Sequence, residues 1–295
     1  MAKGTQRFGS AHTAEKLRNL EEYLKSYSTA LKNQDFQLVY FDAFAGTGDI
    51  QIGIEASLLE TIDEYRPFIK GSAHRALQLG TAFDEYIFVE KSRSKAQLLH
   101  ELKKQYPAIA DRISIKQSDA NEALLKFCVQ TDWSRTRAVV FLDPFGNQVK
   151  WTTIEAIAKT EAIDLWYLFP AGLGVHRQIG KDAQVHASHE ASLDDMLGTK
   201  DWRRAFIADH DSEDLFGARK GAEKVATPKS VTHFMIDRMK RIFKGGVLDE
   251  WLALGSKGIH MYSLVFAWAN PSPKAKLAGK LAKAVLGSTR RGRTK

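Results

Sequence analysis

Val39-Tyr40-Phe41-Asp42-Ala43-Phe44-Ala45-Gly46-Thr47-Gly48-Asp49 decides how the chain is read. An apolar run of β-branched and aromatic residues ends in an acid and passes directly into a turn with two glycines one residue apart. Such a run reads as a buried strand. The glycines let the backbone approach a ligand where a side chain would block it, and in open α/β sheets ligands bind at the carboxyl ends of strands. Taken alone, the same residues also fit a tight turn without a ligand.

Four more apolar runs resemble the first at 38–44, namely 86–89, 113–115, 138–142 and 163–169. Helical stretches at 72–79, 92–106, 121–129 and 153–159 alternate with them. Upstream, Leu17, Leu20, Leu24, Tyr27 and Leu31 recur every three or four residues after Thr13, an N-cap residue type, and predict an amphipathic helix over 13–32. Strand and helix in alternation predict a doubly wound α/β fold with a parallel sheet. Residues 170–229 break the pattern. They are polar and glycine-rich, with short helical pieces at 191–197 and 202–207, and read as a helical insertion. A helix at 230–243 follows. Two extended runs, 247–254 and 260–268, flank Gly255-Ser256-Lys257-Gly258 and predict a C-terminal antiparallel hairpin, which brings the Rossmann-like sheet to seven strands. The expected organisation is an N-terminal helical segment at 1–36, a body at 37–270 and, at 271–295, a basic amphipathic helix over 274–286 followed by a disordered tail from Gly287.

Of 295 residues, 43 are Lys or Arg and 35 are Asp or Glu, a formal charge of +8. The excess sits at one end: Lys274, Lys276, Lys280, Lys283, Arg290, Arg291, Arg293 and Lys295 form an acid-free tail, leaving the body formally neutral. A chain coated in positive charge is thereby excluded, and the tail becomes the candidate nucleic-acid contact, with a solvated helix face as the alternative. With 44% apolar and 26% charged residues, the chain is expected to be globular. Its longest apolar runs fall far short of the roughly 20 residues a membrane-spanning helix needs. No signal-peptide core is visible in 1–16 and the single Cys128 makes no internal disulfide, so a reducing cytoplasm is the expected setting.

Further acids end the other strands. Glu90 follows Ile87-Phe88-Val89, where a ribose hydroxyl pair is reached in nucleoside-binding folds. A dinucleotide reading fits poorly, because Ile50-Gln51 replace the third glycine and Glu90 lies 42 positions beyond Gly48, against about 20 in that fingerprint. Residues 49–70 read as a loop inserted over the pocket. Ser118-Asp119-Ala120-Asn121 follows the third strand, where Asp119 either meets a ligand or caps the next helix. The fourth strand ends in Phe141-Leu142-Asp143-Pro144-Phe145-Gly146, which offers acceptors for an amino group and a ring for stacking.

These motifs, in this order, resemble those of class I S-adenosylmethionine-dependent methyltransferases, and the last resembles the Asp-Pro-Pro-Tyr/Phe signature of amino-directed nucleic-acid enzymes. More closely, His12-Thr13-Ala14-Glu15-Lys16-Leu17, Phe41-Asp42-Ala43-Phe44-Ala45-Gly46, Gly71-Ser72 with Arg75-Ala76-Leu77, and Leu142-Asp143-Pro144-Phe145-Gly146 are similar to the bacterial three-Cys-motif partner (TcmP) family over about residues 10–270. The resemblance implies a methyltransferase-type sheet, S-adenosylmethionine as cofactor and a three-cysteine companion protein. It places Asp42, Phe44, Ala45, Gly46 and Gly48 at the methionine part, Glu90 at the ribose, and Asp119 with Ala120 at the adenine. It gives Asp143 and the Pro144 carbonyl to the target amine and Phe145 to its ring. One proline stands where the amino-directed signature has two, so the aromatic comes one position early, and packing of Phe145 into the sheet is the competing reading. A non-catalytic scaffold for the companion is the competing function.

Weaker signals point to ordinary structure. His186-x-x-His189 lacks a third ligand, and no metal is expected. Trp202, Arg203 and Arg204 with Lys220, Lys224 and Lys229 read as a solvated face anchored by one tryptophan, and Cys128, Trp151 and Trp166 as packing residues.

Overall fold

The computed structural model describes residues 10–46, 72–214, 217–255 and 259–291. Gly48, Arg293 and the expected loop at 49–70 lie outside them. The central sheet contains β1 (Gln37–Asp42), β2 (Glu85–Val89), β3 (Ile113–Lys116), β4 (Thr136–Leu142) and β5 (Ile163–Phe169), all parallel in the order β3-β2-β1-β4-β5. β5 is buried at every position, as a strand covered on both faces must be. On its far side runs β10 (Tyr262–Trp268), antiparallel, with Ser263 opposite Phe169.

The order reverses direction between β1 and β4, the crevice where such sheets bind ligands. Helices cover both faces. On one lie α1 (Ser10–Leu31), α2 (Ser72–Leu77), α3 (Arg93–Lys104) and α9 (Lys276–Arg291); on the other lie α4 (Ala120–Gln130), α5 (Trp151–Lys159) and α8 (Pro228–Lys240). α1 is fixed by Tyr23, whose buried hydroxyl donates to Asp164 Oδ2 at 2.8 Å while its ring meets Trp166 and Phe266 edge-on.

Three expectations are corrected. The run at 247–254 is two short strands, β8 (Gly246–Val247) and β9 (Leu252–Leu254), each paired with β10, so the sheet has eight strands rather than seven. The insertion is not purely helical. After α6 (Ala187–Leu197) and α7 (Trp202–Phe206) it forms a separate antiparallel ribbon, β6 (Ile207–Asp214) with β7 (Gly217–Lys224). The C-terminal helix does not stop at 286 but continues through Gly287 to Arg291.

Trp151, Trp166 and Trp202 are buried, and the Arg203 guanidinium sits 4.7 Å over the Trp202 ring. Cys128 packs against the core, where burial pushes its thiol up to about 12 and keeps it unreactive. No helix among the described residues is long and apolar enough to cross a membrane.

Candidate functional site

The parallel strands deliver Asp42, Glu90 and Asp143 to one edge of the sheet. β1 and β4 are neighbours, with Asp42 opposite Phe141, so Asp143 projects just beyond that pair. Tyr40 lies two residues before Asp42 and therefore on the same face of β1. Asp42 is fully buried. One of its oxygens accepts the Phe44 N–H at 3.1 Å, and the Ser72 hydroxyl also bonds to its carboxylate. Burial pushes its carboxyl up to about 6; these two bonds pull it back, and the charge of Glu90 adds to the rise.

Asp143 is buried as well. Burial first, then the charge of Asp42, hold its carboxyl well above the usual carboxylate range. Asp42 Oδ2, Asp143 Oδ2 and the Tyr40 hydroxyl each lack a hydrogen-bond partner among the described residues. Burial pushes up the Tyr40 hydroxyl, with contributions from Asp42 and Asp143. Three buried polar atoms without a partner among the described residues are costly unless something else meets them, because each has lost its water. Two of them are acids, so the missing partner is cationic or a donor.

The turn after β1 is built as the sequence predicts. Ala43 and Ala45 donate backbone hydrogen bonds to Phe141 and Val89, tying the turn to both neighbouring strands, and Gly46 takes φ +62°. A side chain there is strained whatever the space. Glu90 is half-buried, and its Oε1 accepts the Ser92 N–H at 2.7 Å. Asp119 caps α4, accepting from the Asn121 N–H at 3.0 Å, and forms an ion pair with Lys91 at 3.4 Å. Burial raises its carboxyl, but the bonds from Asn121, Glu122 and Lys91 outweigh that and leave it lowered. Ala120, the first residue of α4, is buried.

Pro144 is buried and Phe145 is 66% exposed, so Phe145 does not pack into the sheet. Its N–H donates to Gln148 Oε1 at 3.0 Å and Gly146 turns the chain with φ +81°. Asn121, which the sequence offers only as part of the motif after the third strand, holds this loop. Its Nδ2 donates to the Gln148 carbonyl at 2.9 Å, and its Oδ1 accepts the Lys150 N–H at 3.0 Å and the Thr153 hydroxyl at 2.8 Å. Asn121→Ala is expected to lower unfolding free energy by about 1–3 kcal/mol, measured by denaturant titration, because those groups lose their partners together.

Beyond β5, a turn of π-helix at Ala171–His176 closes the edge. A Cβ on Gly172 would stand 2.0 Å from the His260 carbonyl oxygen, and one on Gly174 would stand 2.1 Å from Asn147 Oδ1. Gly172 is therefore demanded by a close backbone approach, whereas at Gly174 the near atom is the end of the Asn147 side chain. The candidate tail residues sit apart from this edge. Lys274, Lys276 and Lys280 are exposed around the start of α9, and Lys283 pairs with Glu250 at 2.5 Å. Arg290 and Arg291 lie in its last turn. His186 caps α6, and no metal-binding cluster occurs among the described residues. A cavity of about 690 Å³ lined by Gln37, Glu85 and Thr136 lies at the opposite, amino ends of the strands.

The fold and the strand-end cluster define a doubly wound α/β protein with its candidate site at the carboxyl edge. No family model matches the chain, and no curated protein matches it. Among solved structures it is similar to a Legionella pneumophila protein of the DUF519 family, at 13% identity and TM-score 0.40 over 80% of this chain and 94% of that one. It is also similar to the glycopeptide N-methyltransferase MtfA in complex with S-adenosyl-L-homocysteine, at 12% identity and TM-score 0.37 over 84% and 89%. A third is magnesium protoporphyrin IX methyltransferase from Synechocystis with bound S-adenosylmethionine, at 14% and 0.31 over 76% and 87%. At such values no residue role or substrate is carried across.

Proposed function

We propose that the chain is an S-adenosylmethionine-dependent methyltransferase that acts on an exocyclic amino group of a nucleic-acid base and works with a three-cysteine-motif companion protein. The observation that carries this reading is the buried pair Asp42 and Asp143, each with an oxygen lacking a partner among the described residues, beside the left-handed Gly46 turn. The cofactor brings an ammonium and a sulfonium, and a cation is what a desolvated carboxyl pair lacks. In this reading Asp42, Phe44, Ala45 and Gly46 hold the methionine part, Glu90 the ribose, and Asp119 with Ala120 the adenine. Asp143 and the Pro144 carbonyl accept hydrogen bonds from the target amine, and the exposed Phe145 ring stacks on its base. Aligning the amine lone pair with the methyl group is the main task, and it needs neither a metal nor a covalent nucleophile.

Calorimetry with S-adenosylmethionine and S-adenosylhomocysteine tests the cofactor. At a hundred times the dissociation constant, either raises unfolding free energy by about 2.7 kcal/mol. Glu90→Ala is expected to erase that shift, and an absence of binding to the unaltered protein would overturn the reading. The nucleic-acid part rests on the exposed Lys274, Lys276 and Lys280, with Lys283, Arg290, Arg291 and Arg293 as further contacts. Replacing those first three lysines with Gln is expected to flatten the slope of log affinity against log salt on single strands by about 2. An unchanged slope would make them the wet face of α9.

A further inference from the structure

The six residues from Ser72 to Leu77 form α2, and no role above uses them beyond the bond from Ser72 to Asp42. Asp42 belongs to the face of the sheet that α1 and α2 cover. Tyr40, two residues earlier on β1 and so on the same side, packs on that face against Phe83, Tyr86 and Phe88. Ser72, Ala73, Ala76 and Leu77 are the buried side chains of α2, and the last three join the same cluster. Packing lays the helix over β1, with Ser72 at the end where Asp42 stands.

A helix of one and a half turns does not hold itself in place. This one is pinned from two sides. Arg75 Nη1 lies 3.5 Å from Glu21 Oε2 of α1, and the hydroxyl of Tyr106, just before β3, lies 3.1 Å from His74 Nδ1. α1 is in turn fixed to the sheet by the Tyr23 bond to Asp164. The Asp42 carboxylate is thereby met from one side only. The Phe44 N–H and the Ser72 hydroxyl both donate to it, yet Oδ2 keeps no partner among the described residues. Donors to a carboxylate favour its charged form, and these two oppose the effect of burial on Asp42. A buried acid that is charged and oriented can meet a cation; one without such donors keeps its proton.

Resting on the methyltransferase reading, we propose that Ser72 is a positioning residue: its hydroxyl, held by α2, keeps the Asp42 carboxylate aimed with Oδ2 towards the ammonium of the cofactor's methionine part. Ser72 itself touches neither the cofactor nor the target amine. It acts through Asp42, and α1 supports it through Glu21 and Arg75.

The test compares S-adenosylhomocysteine with 5′-methylthioadenosine, which keeps the adenine, ribose and thioether but lacks the ammonium and the carboxylate. In calorimetry on the full chain, Ser72→Ala is expected to weaken S-adenosylhomocysteine at least about tenfold, the scale of a lost hydrogen bond to a charged group, and to leave 5′-methylthioadenosine within about twofold. In an Asp42→Asn background the same substitution is expected to cost less than about twofold, because the amide has no charge left to aim. That cycle decides where 5′-methylthioadenosine binds too weakly to measure. Ser72→Cys keeps the side-chain volume with a weaker donor and is expected to fall between, and it replaces Ser72→Ala if circular dichroism shows the latter unfolded. Equal weakening of both ligands makes Ser72 a packing residue and overturns the proposal, as does an unchanged affinity for S-adenosylhomocysteine or a full further tenfold loss in Asp42→Asn. If the unaltered protein does not bind S-adenosylhomocysteine, the cofactor reading falls and the positioning role with it.

Discussion

Asp143→Asn is expected to lower methyl transfer by at least about 100-fold while leaving S-adenosylhomocysteine binding largely intact and raising thermal stability at neutral pH. The loss follows from charge. Asn keeps the shape of the side chain and one acceptor oxygen, but not the negative field that draws positive charge onto the amine as it attacks. Removal of a preorganised electrostatic partner of this kind costs about 2.7–4 kcal/mol of transition-state stabilisation. The gain in stability comes from the same burial. Asp143 sits desolvated, and the charge of Asp42 adds to burial in raising its proton affinity, so the empty site is an unfavourable place for a charged acid. A neutral amide removes the repulsion. Transfer from labelled cofactor to nucleic acid, calorimetry and thermal unfolding read the three outcomes separately. Full biological function in an Asp143→Asn strain with the complex intact would instead favour a scaffold that only keeps the methyltransferase-type sheet.

That opposition between stability and chemistry is visible in the sequence only in part. Asp42, Glu90 and Asp143 stand out because each ends a run of β-branched and aromatic residues, and such a run leaves little choice of structure. Their arrival at one edge then follows from parallel strand order. What the residues do not announce is which acids stay unpaired. Asp119 and Asp143 both follow strands, yet Asp119 accepts the Asn121 N–H and Asp143 Oδ2 has no partner among the described residues.

The loop-holding role of Asn121 is hidden for a different reason. Its partners at Gln148, Lys150 and Thr153 belong to a loop roughly thirty residues later, and no local pattern encodes a meeting of two loops. The same holds for Gly172 and Gly174, which read as punctuation in a polar insertion until the structure places each against another segment. The ribbon at β6 and β7 was missed because its strands lack apolar alternation. Its register sets Asp211 opposite Lys220 and Ser212 opposite Arg219, a pairing of an acidic strand with a basic one that a search for buried strands passes over.

Asp164→Asn is the second substitution with a large expected effect, and it acts far from the transfer chemistry. Asp164 is buried beneath α1, where its Oδ2 accepts the Tyr23 hydroxyl. Burial pushes its carboxyl up to about 7, against the opposing influence of the Tyr23 bond and the Arg137 charge. An unfolded Asp titrates near about 3.9, so between those two values the folded chain binds more protons than the unfolded one, and stability falls as pH rises. The stabilisation is complete below about pH 4 and is lost as pH passes through about 7, a change on the order of 4 kcal/mol. Asn retains an oxygen for Tyr23 and has no proton to lose. The variant is therefore expected to match the unaltered protein near pH 4 and to exceed it above pH 7, with the pH slope of unfolding free energy reduced across the interval. Asp42, raised to about 6 by the same burial, and Asp143, held well above the usual carboxylate range, leave a residual slope of the same sign in the variant. A cationic ligand at the sheet edge should reduce that residue, because it draws Asp42 back to the charged form. Denaturant titrations at pH 4, 5.5, 7 and 8, with and without S-adenosylmethionine, separate the two acids: a slope unchanged by Asp164→Asn would remove α1 docking as its source, and a slope unchanged by saturating cofactor would detach Asp42 from the ligand site.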